Sequence, residues 1–424
     1  EDGARFHEVA IGASTAMPRE DDGAGYRASY LFGTAQGALD FVGGLSYAQE
    51  GLYYDADGNP IAPEPVQGDL MDANSRNLFA KAGWAIDDQR RLQLTASHYR
   101  LEGEGHYAVV DGDYRLGVPA TATRGDQPLE PPRNDSRSAS LDYRDHDLAG
   151  GQFQGQLFWT RFEGRYGSNA YVDFFNTGSD EVWYDQSQIN AEKLGGKFTW
   201  SRGYIADLPL RLTLGLDLIR DTTEQRQLAS DLGWVPPTTY QSLSPLLQAE
   251  YRLGPLLFTG GVRHERAKLE VDDFVTLPQY GAQSVQGGSP DFSETLPNFG
   301  VVWEATAALS FYASYAEGYS VADHIDALRA HGLEHLVDLH AAVARHAGRR
   351  HDVHVLQGVG PPVGIELFGA GLRQVRHDRP QLSRGDTTAR IRGGSANRPG
   401  DGSLEPHFKR YYTAVRDCFA SARR

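Results

Sequence analysis

Few residues in this 424-residue chain have the types and spacing that chemistry requires. His331-Gly332-Leu333-Glu334-His335 fits H-x-x-E-H, in which two His on one helix face hold zinc and Glu acts as general base. Leu328, Leu336, Val337 and Leu339 would give that helix an apolar side. Gly332 weakens it, however, and nine of the 14 His crowd the region after position 323, where chance matches arise easily. Asp55, Asp57 and Asn59 have the first spacings of a calcium loop, but Pro60 stands where Gly is needed and Val66 where Glu is needed, so a turn is expected. Arg124-Gly125-Asp126, Arg384-Gly385-Asp386 and the sequon Asn134-Asp135-Ser136 are matches of the kind that chance supplies. There is no nucleotide loop, no G-x-S-x-G elbow and no supported pair of carboxylates. The chain is therefore expected not to be an enzyme and to carry no catalytic or metal residues and no cofactor.

A second set of residues suits binding rather than catalysis. Tyr53, Tyr54, Tyr107, Tyr114, Arg115, Arg124, Tyr171, Trp183, Tyr184, Trp234, Tyr240 and Tyr280 fall in polar, Gly- and Pro-rich segments. Aromatic faces stack on bulky ligands and Arg supplies counter-charge, so this set suits a large anionic ligand. The bland alternative is that these residues stiffen loops or meet lipopolysaccharide.

The elements that would carry them are legible from periodicity. Leu210 to Leu218 reads Leu-Arg-Leu-Thr-Leu-Gly-Leu-Asp-Leu, a period of two and hence a strand with one apolar face. The alternation recurs at Leu39, Phe41, Leu45 and Tyr47, at Leu78 to Ile86, at Leu194 to Trp200, at Leu256 to Val262, at Phe299 to Trp303 and at Leu309 to Tyr315. Short turns near 35–37, 87–89, 254–255 and 304–306 alternate with long loops near 51–75, 103–136, 167–189, 223–243 and 270–293. Short turns on one rim and long loops on the other are the pattern of an outer-membrane barrel. Tyr47, Trp84, Tyr99, Tyr143, Trp159, Trp200, Tyr251, Trp303 and Tyr315 fall near strand ends, as interfacial girdles require. About 12 to 13 strands are expected between residues 4 and 320. Leu210, Leu212, Leu214, Leu216 and Leu218 should face lipid, and Arg211, Thr213 and Asp217 the lumen.

Composition divides the chain. Through Asp323 there are 25 Lys and Arg against 46 Asp and Glu, whereas residues 324–424 hold 16 against 10. All six Trp and 19 of 21 Tyr precede position 323. The acidic first part argues against a nucleic-acid partner. The single Cys, Cys418, excludes an internal disulfide. No apolar run is long enough for a membrane helix and mean hydropathy is −0.49, values that a strand barrel shares with soluble proteins.

Certain segments resemble the TonB-dependent outer-membrane receptors, and among them the ferric hydroxamate siderophore receptors of the aerobactin kind. They are Leu256 to Arg263 followed by Val271-Asp272-Asp273-Phe274, Gly287 to Phe292, Asn298-Phe299-Gly300 and Tyr312 to Tyr319, together with Gly43 to Asn59. The resemblance implies an all-β fold, part of a 22-stranded antiparallel transmembrane barrel. It also implies a ferric siderophore captured by the extracellular loops, with outer-membrane lipid and lipopolysaccharide around the wall and TonB as partner of the full-length parent. On this reading residues 1–322 are the partial barrel, beginning near its second strand, without a plug sequence or TonB box. Residues 323–424 are expected to be a poorly ordered, partly helical tail that adds no strands. A shift of reading frame near position 320 would explain its Arg, Ala, Gly, Pro and His, and a genuine soluble tail is the alternative. A plug-less porin-like or adhesin-type barrel is the competing function.

Overall fold

The computed structural model describes residues 5–16, 22–64, 70–113, 115–307 and 309–318, with the backbone of 350–357, 365–368 and 371–373. The His331 to His335 motif and Tyr114 lie outside the described residues.

In chain order the strands are β1 (Arg5–Ser14), β2 (Gly25–Gln36), β3 (Leu39–Glu50), β4 (Ala73–Ala85) and β5 (Arg90–Gly103). A hairpin of β6 (Tyr107–Val110) and β7 (Thr121–Arg124) follows, then β8 (Arg133–Leu148) and β9 (Gly151–Arg165). A second hairpin, β10 (Asn169–Val172) with β11 (Val182–Asp185), precedes β12 (Ser187–Arg202), β13 (Leu210–Gln227), β14 (Gly233–Leu253) and β15 (Leu256–Val271). A third pair, β16 (Phe274–Val275) with β17 (Ser284–Val285), leads to β18 (Asp291–Thr306) and β19 (Leu309–Gly318). The backbone strands β20 (Arg350–Gln357), β21 (Ile365–Phe368) and β22 (Gly371–Arg373) come last. Apart from the three hairpins, all are joined in one antiparallel sheet, each strand bonded to the next in sequence. Thirteen of its strands lie between Arg5 and Gly318, as the alternation predicts.

Register separates the two faces of the sheet. Leu210, Leu214 and Leu218 pair with Tyr251, Leu247 and Leu243, and Leu247 and Tyr251 pair with Val262 and Phe258. Large side chains left uncovered on this face include Leu45, Leu78, Leu94, Leu157, Leu194, Leu214, Phe258, Phe299 and Trp303, and Leu214 is 50% exposed. An apolar surface of this extent is stable only against lipid. On the opposite face Arg91 pairs with Asp40 at 2.7 Å, Lys193 with Asp221 at 2.7 Å, and Arg263 with Asp217 at 2.7 Å and Glu265 at 2.8 Å. Of the expected girdle residues, all but Tyr99 share the apolar face. Tyr99 stands opposite Asn77 and Ser136 on the polar side, because it is odd-numbered in a strand whose apolar residues are Leu92 and Leu94.

Two expectations are corrected. Segment 223–243 is not a long loop: β13 and β14 leave only five residues between them, and Thr238 pairs with Thr223. Gly233 and Pro236-Pro237 suggested a loop, but a register shift between Thr223 and Arg226 absorbs them in strand structure. The region after position 323 does add strands, since β20 pairs with β19 and carries β21 and β22. Val353 and Val355 alternate there with Asp352 and His354, a short period-two run, and the edge of β19 offers unpaired backbone groups to it.

Candidate loop-borne ligand site

The long connections β3–β4 and β5–β8 leave the sheet on the same rim and fold on each other. Leu52, Met71, Tyr107 and Ala122 form a buried cluster there, with Tyr54 packed against it. A bridge between Ile61 and Thr121 ties one loop to the hairpin of the other. Tyr107 stands opposite Arg124 in the β6–β7 register, and the Arg124 guanidinium lies 5.7 Å from the centre of the Tyr107 ring. Arg124 also pairs with Asp22, from the β1–β2 connection. Burial, followed by a hydrogen bond to Asp22, pushes the Tyr107 phenol up to about 12. Tyr53 is 41% exposed at the outside of this assembly. Tyr53, Tyr54, Tyr107 and Arg124 therefore belong to one structural unit, far apart though they are in sequence. Arg115 lies beyond β6, in the connection to β7. It follows Asp113 in a tight turn, where the Arg115 amide donates to the Asp113 carboxylate at 2.8 Å.

A second unit is built on β10 and β11. Tyr171 pairs with Trp183 across the hairpin, and the wholly buried Phe174 lies 5.2 Å from the Tyr171 ring. Phe175 meets the Trp183 ring edge-on at 5.2 Å. Gln227 donates to the Tyr171 hydroxyl at 3.3 Å, and burial raises that phenol's pKa. Tyr184 follows Trp183 in the strand, points to the other side by alternation, and is 46% exposed. Trp183 is thus packed into the hairpin, whereas the Tyr184 ring is open to solvent. Trp234 and Tyr240 lie on β14 rather than on a loop, and Tyr240 faces the polar side opposite Asp221. Tyr280 sits in a short 3-10 turn, 53% exposed.

Several residues that shape these units carried no signal in the sequence. Asp185 is completely buried, and its carboxylate accepts backbone N–H groups from Gln186 at 2.8 Å, Ala229 at 2.9 Å and Ser230 at 3.1 Å. It is a cap shared by two connections, and nothing local in Tyr-Asp-Gln announces that. Asp22 is equally silent. Asp55 does close a turn, accepting the amides of Asp57 at 2.9 Å and Asn59 at 2.8 Å.

A sheet with one lipid-type face, one charged face, and aromatic loop units on a single rim defines the wall of an outer-membrane barrel. Residues 83–330 match the family described as TonB dependent receptor-like, beta-barrel, and the chain belongs to that family, whose place is the bacterial outer membrane. The chain is 22% identical over 330 residues to the ferric aerobactin receptor of Klebsiella pneumoniae, covering 69% of this chain and 44% of that protein. It is also 22% identical over 312 residues to the rhizobactin receptor of Rhizobium meliloti (strain 1021), covering 64% of this chain and 40% of that protein. It thus spans less than half the length of either curated relative. Among solved structures, the copper transporter OprC superposes with a TM-score of 0.57 at 12% identity, over 86% of this chain and 54% of that one. The unliganded ferric citrate transporter FecA gives 0.55 at 13%, over 84% and 50%. The ferric-catecholate import receptor Fiu of E. coli K12 gives 0.55 at 10%, over 84% and 57%. At identities this low the superpositions show the shared fold alone.

Proposed function

We propose that this chain is the greater part of a barrel that captures a ferric siderophore, of the hydroxamate kind, at the cell surface. The reading rests on the unit in which Tyr54, Tyr107 and Arg124 are held together on one rim, with Tyr53 exposed beside them. Aromatic faces with an adjacent guanidinium match a bulky iron chelate carrying negative charge. The names of the two curated relatives, both siderophore receptors, point the same way. Transport across the barrel would be coupled to TonB in the full-length protein, and the apolar wall would be covered by outer-membrane lipid and lipopolysaccharide. Strands β20 to β22, which continue the sheet past Gly318, would belong to the same wall, and no catalysis is involved.

Titration of the full-length protein with ferric and iron-free hydroxamate siderophores, read by Trp fluorescence, tests this. Saturable quenching by the ferric form, weakened by Arg124→Ala, is expected. No response to any ferric chelate, with free passage of small sugars through the barrel, would leave the porin-like function standing instead.

A further inference from the structure

Where the two loops of the first unit leave the sheet, three side chains converge. Asp72 ends the β3–β4 connection, and Glu104 and His106 open the β5–β6 connection. One ligand atom of each lies within 4.8 Å of the other two. His106 Nδ1 is 3.2 Å from Asp72 Oδ1 and 3.3 Å from Glu104 Oε2. Ligand atoms on an ion with bonds near 2.0–2.2 Å stand about 2.8–3.6 Å apart at octahedral or tetrahedral angles, so these two separations already fit.

The charge balance is the stronger argument. Asp72 is 94% buried by its 6% relative exposure, and Glu104 is mostly covered. Among the described residues, neither carboxylate has a Lys or Arg within ion-pair distance. The remaining partners are neutral donors, the His106 amide to Asp72 at 2.9 Å and the Gln49 amide to Glu104 at 3.1 Å. Two carboxylate oxygens therefore face a single ring nitrogen, which carries at most one proton. Buried carboxylates are normally matched by a cation or a metal ion. The His106 side chain is 63% exposed, which leaves the group open to entry from solvent.

We propose that Asp72, Glu104 and His106 form a binding site for a divalent transition ion of the zinc class, with water completing the coordination. One imidazole nitrogen with two carboxylates suits such an ion better than the all-oxygen shells of calcium or magnesium. The ion would fasten the bases of the two loops together directly beside Met71 and Tyr107, both members of the buried cluster. It would thereby order the surface that carries Tyr54 and Arg124. The consequence for ligand capture rests on the proposed receptor function, but the site itself does not.

The test is zinc binding by the full chain in detergent micelles, measured by competition with a chromophoric chelator and with no siderophore present. The nine His after position 323 can add background equivalents, so the readout is the difference between wild type and variants. His106→Ala and Glu104→Gln should each lose one equivalent, or weaken it by about tenfold or more, since even changes around metal ligands cost that much. Glu104→Gln keeps the volume and hydrogen bonding of the site, which guards against misfolding. His98→Ala removes a ring paired with Asp135 on the barrel wall and should keep the wild-type count. Equal zinc stoichiometry and affinity in wild type, His106→Ala and Glu104→Gln would overturn the proposal, as would an equal loss in His98→Ala. A failed siderophore titration leaves these outcomes untouched.

Discussion

Arg124 lies over the ring of Tyr107 while its guanidinium meets Asp22, so one cation joins the β1–β2 connection to the β6–β7 hairpin. The same Asp22 accepts from the Tyr107 hydroxyl, and the phenol is pushed up to about 12. A raised phenol pKa means that the folded state favours the neutral form. The stability it contributes is complete below the ordinary value of 10.0 and is lost as pH climbs from there through about 12. Phenolate absorbance of the wild type minus that of Tyr107→Phe should therefore show a phenol titrating well above the ordinary value of 10.0. A difference spectrum that titrates with the bulk tyrosines would refute this arrangement.

Removing Asp185 should loosen the rim locally rather than unfold the sheet. Its carboxylate collects three backbone amides from two connections, and Asp185→Ala leaves them without that acceptor. Orphaned buried donors cost roughly 1–3 kcal/mol in a case of this kind. Hydrogen exchange should lose protection by that amount at Ala229 and Ser230, while amides in the middle of β12 and β13 keep theirs. Unchanged exchange at Ala229 and Ser230 would contradict the capping role.

How much of this was legible beforehand follows from the range over which each signal acts. The Leu210 to Leu218 alternation is local, and one greasy face on a strand dictates its register against β12 and β14. Tyr99 departs from the girdle because aromatic type alone does not fix a face; parity within the strand does. Pro236-Pro237 looked like a loop because breakers are read locally, whereas strand pairing across a register shift is a property of three strands together. The site was legible only as a list of residue types. That Tyr54, Tyr107 and Arg124 meet depends on contacts across as many as 70 positions of chain, and Asp22 and Asp72 enter through contacts between distant segments alone.

Trp183 and Tyr184, adjacent in sequence, should behave differently. Trp183 is packed with Phe174 and Phe175, so Trp183→Ala should cost about 3–5 kcal/mol at a fully packed site and less here, where the ring is half-buried. Limited proteolysis should cut the β10–β11 hairpin faster in that variant. Tyr184→Ala leaves those packing contacts in place, so the cutting rate should stay as in wild type, and any change should appear in ferric siderophore affinity, on the 1–3 kcal/mol scale of an aromatic anchor. Faster proteolysis of Tyr184→Ala would mean that its ring is structural as well.

The division of faces makes the most direct prediction, because neighbouring residues in β13 should answer oppositely to the same substitution. Leu214 lies between Trp200 and Leu247 on the apolar side, and Thr213 between Ser201 and Gln248 on the polar side. Arg on a lipid-facing strand position costs about 2–4 kcal/mol near the bilayer midplane, because the guanidinium must be dragged out of water. Arg on the opposite face stays hydrated among groups such as Gln248 and Glu250. Folding into lipid vesicles, followed by denaturant titration, should thus find Leu214→Arg the more costly of the two, by an amount that depends on depth and reaches at most about 2–4 kcal/mol. Thr213→Arg should stay within about 1 kcal/mol of wild type, as changes at hydrated positions usually do. Equal costs at the two positions, or the larger cost at Thr213, would reverse the assignment of the faces and with it the account of how this sheet sits in the membrane.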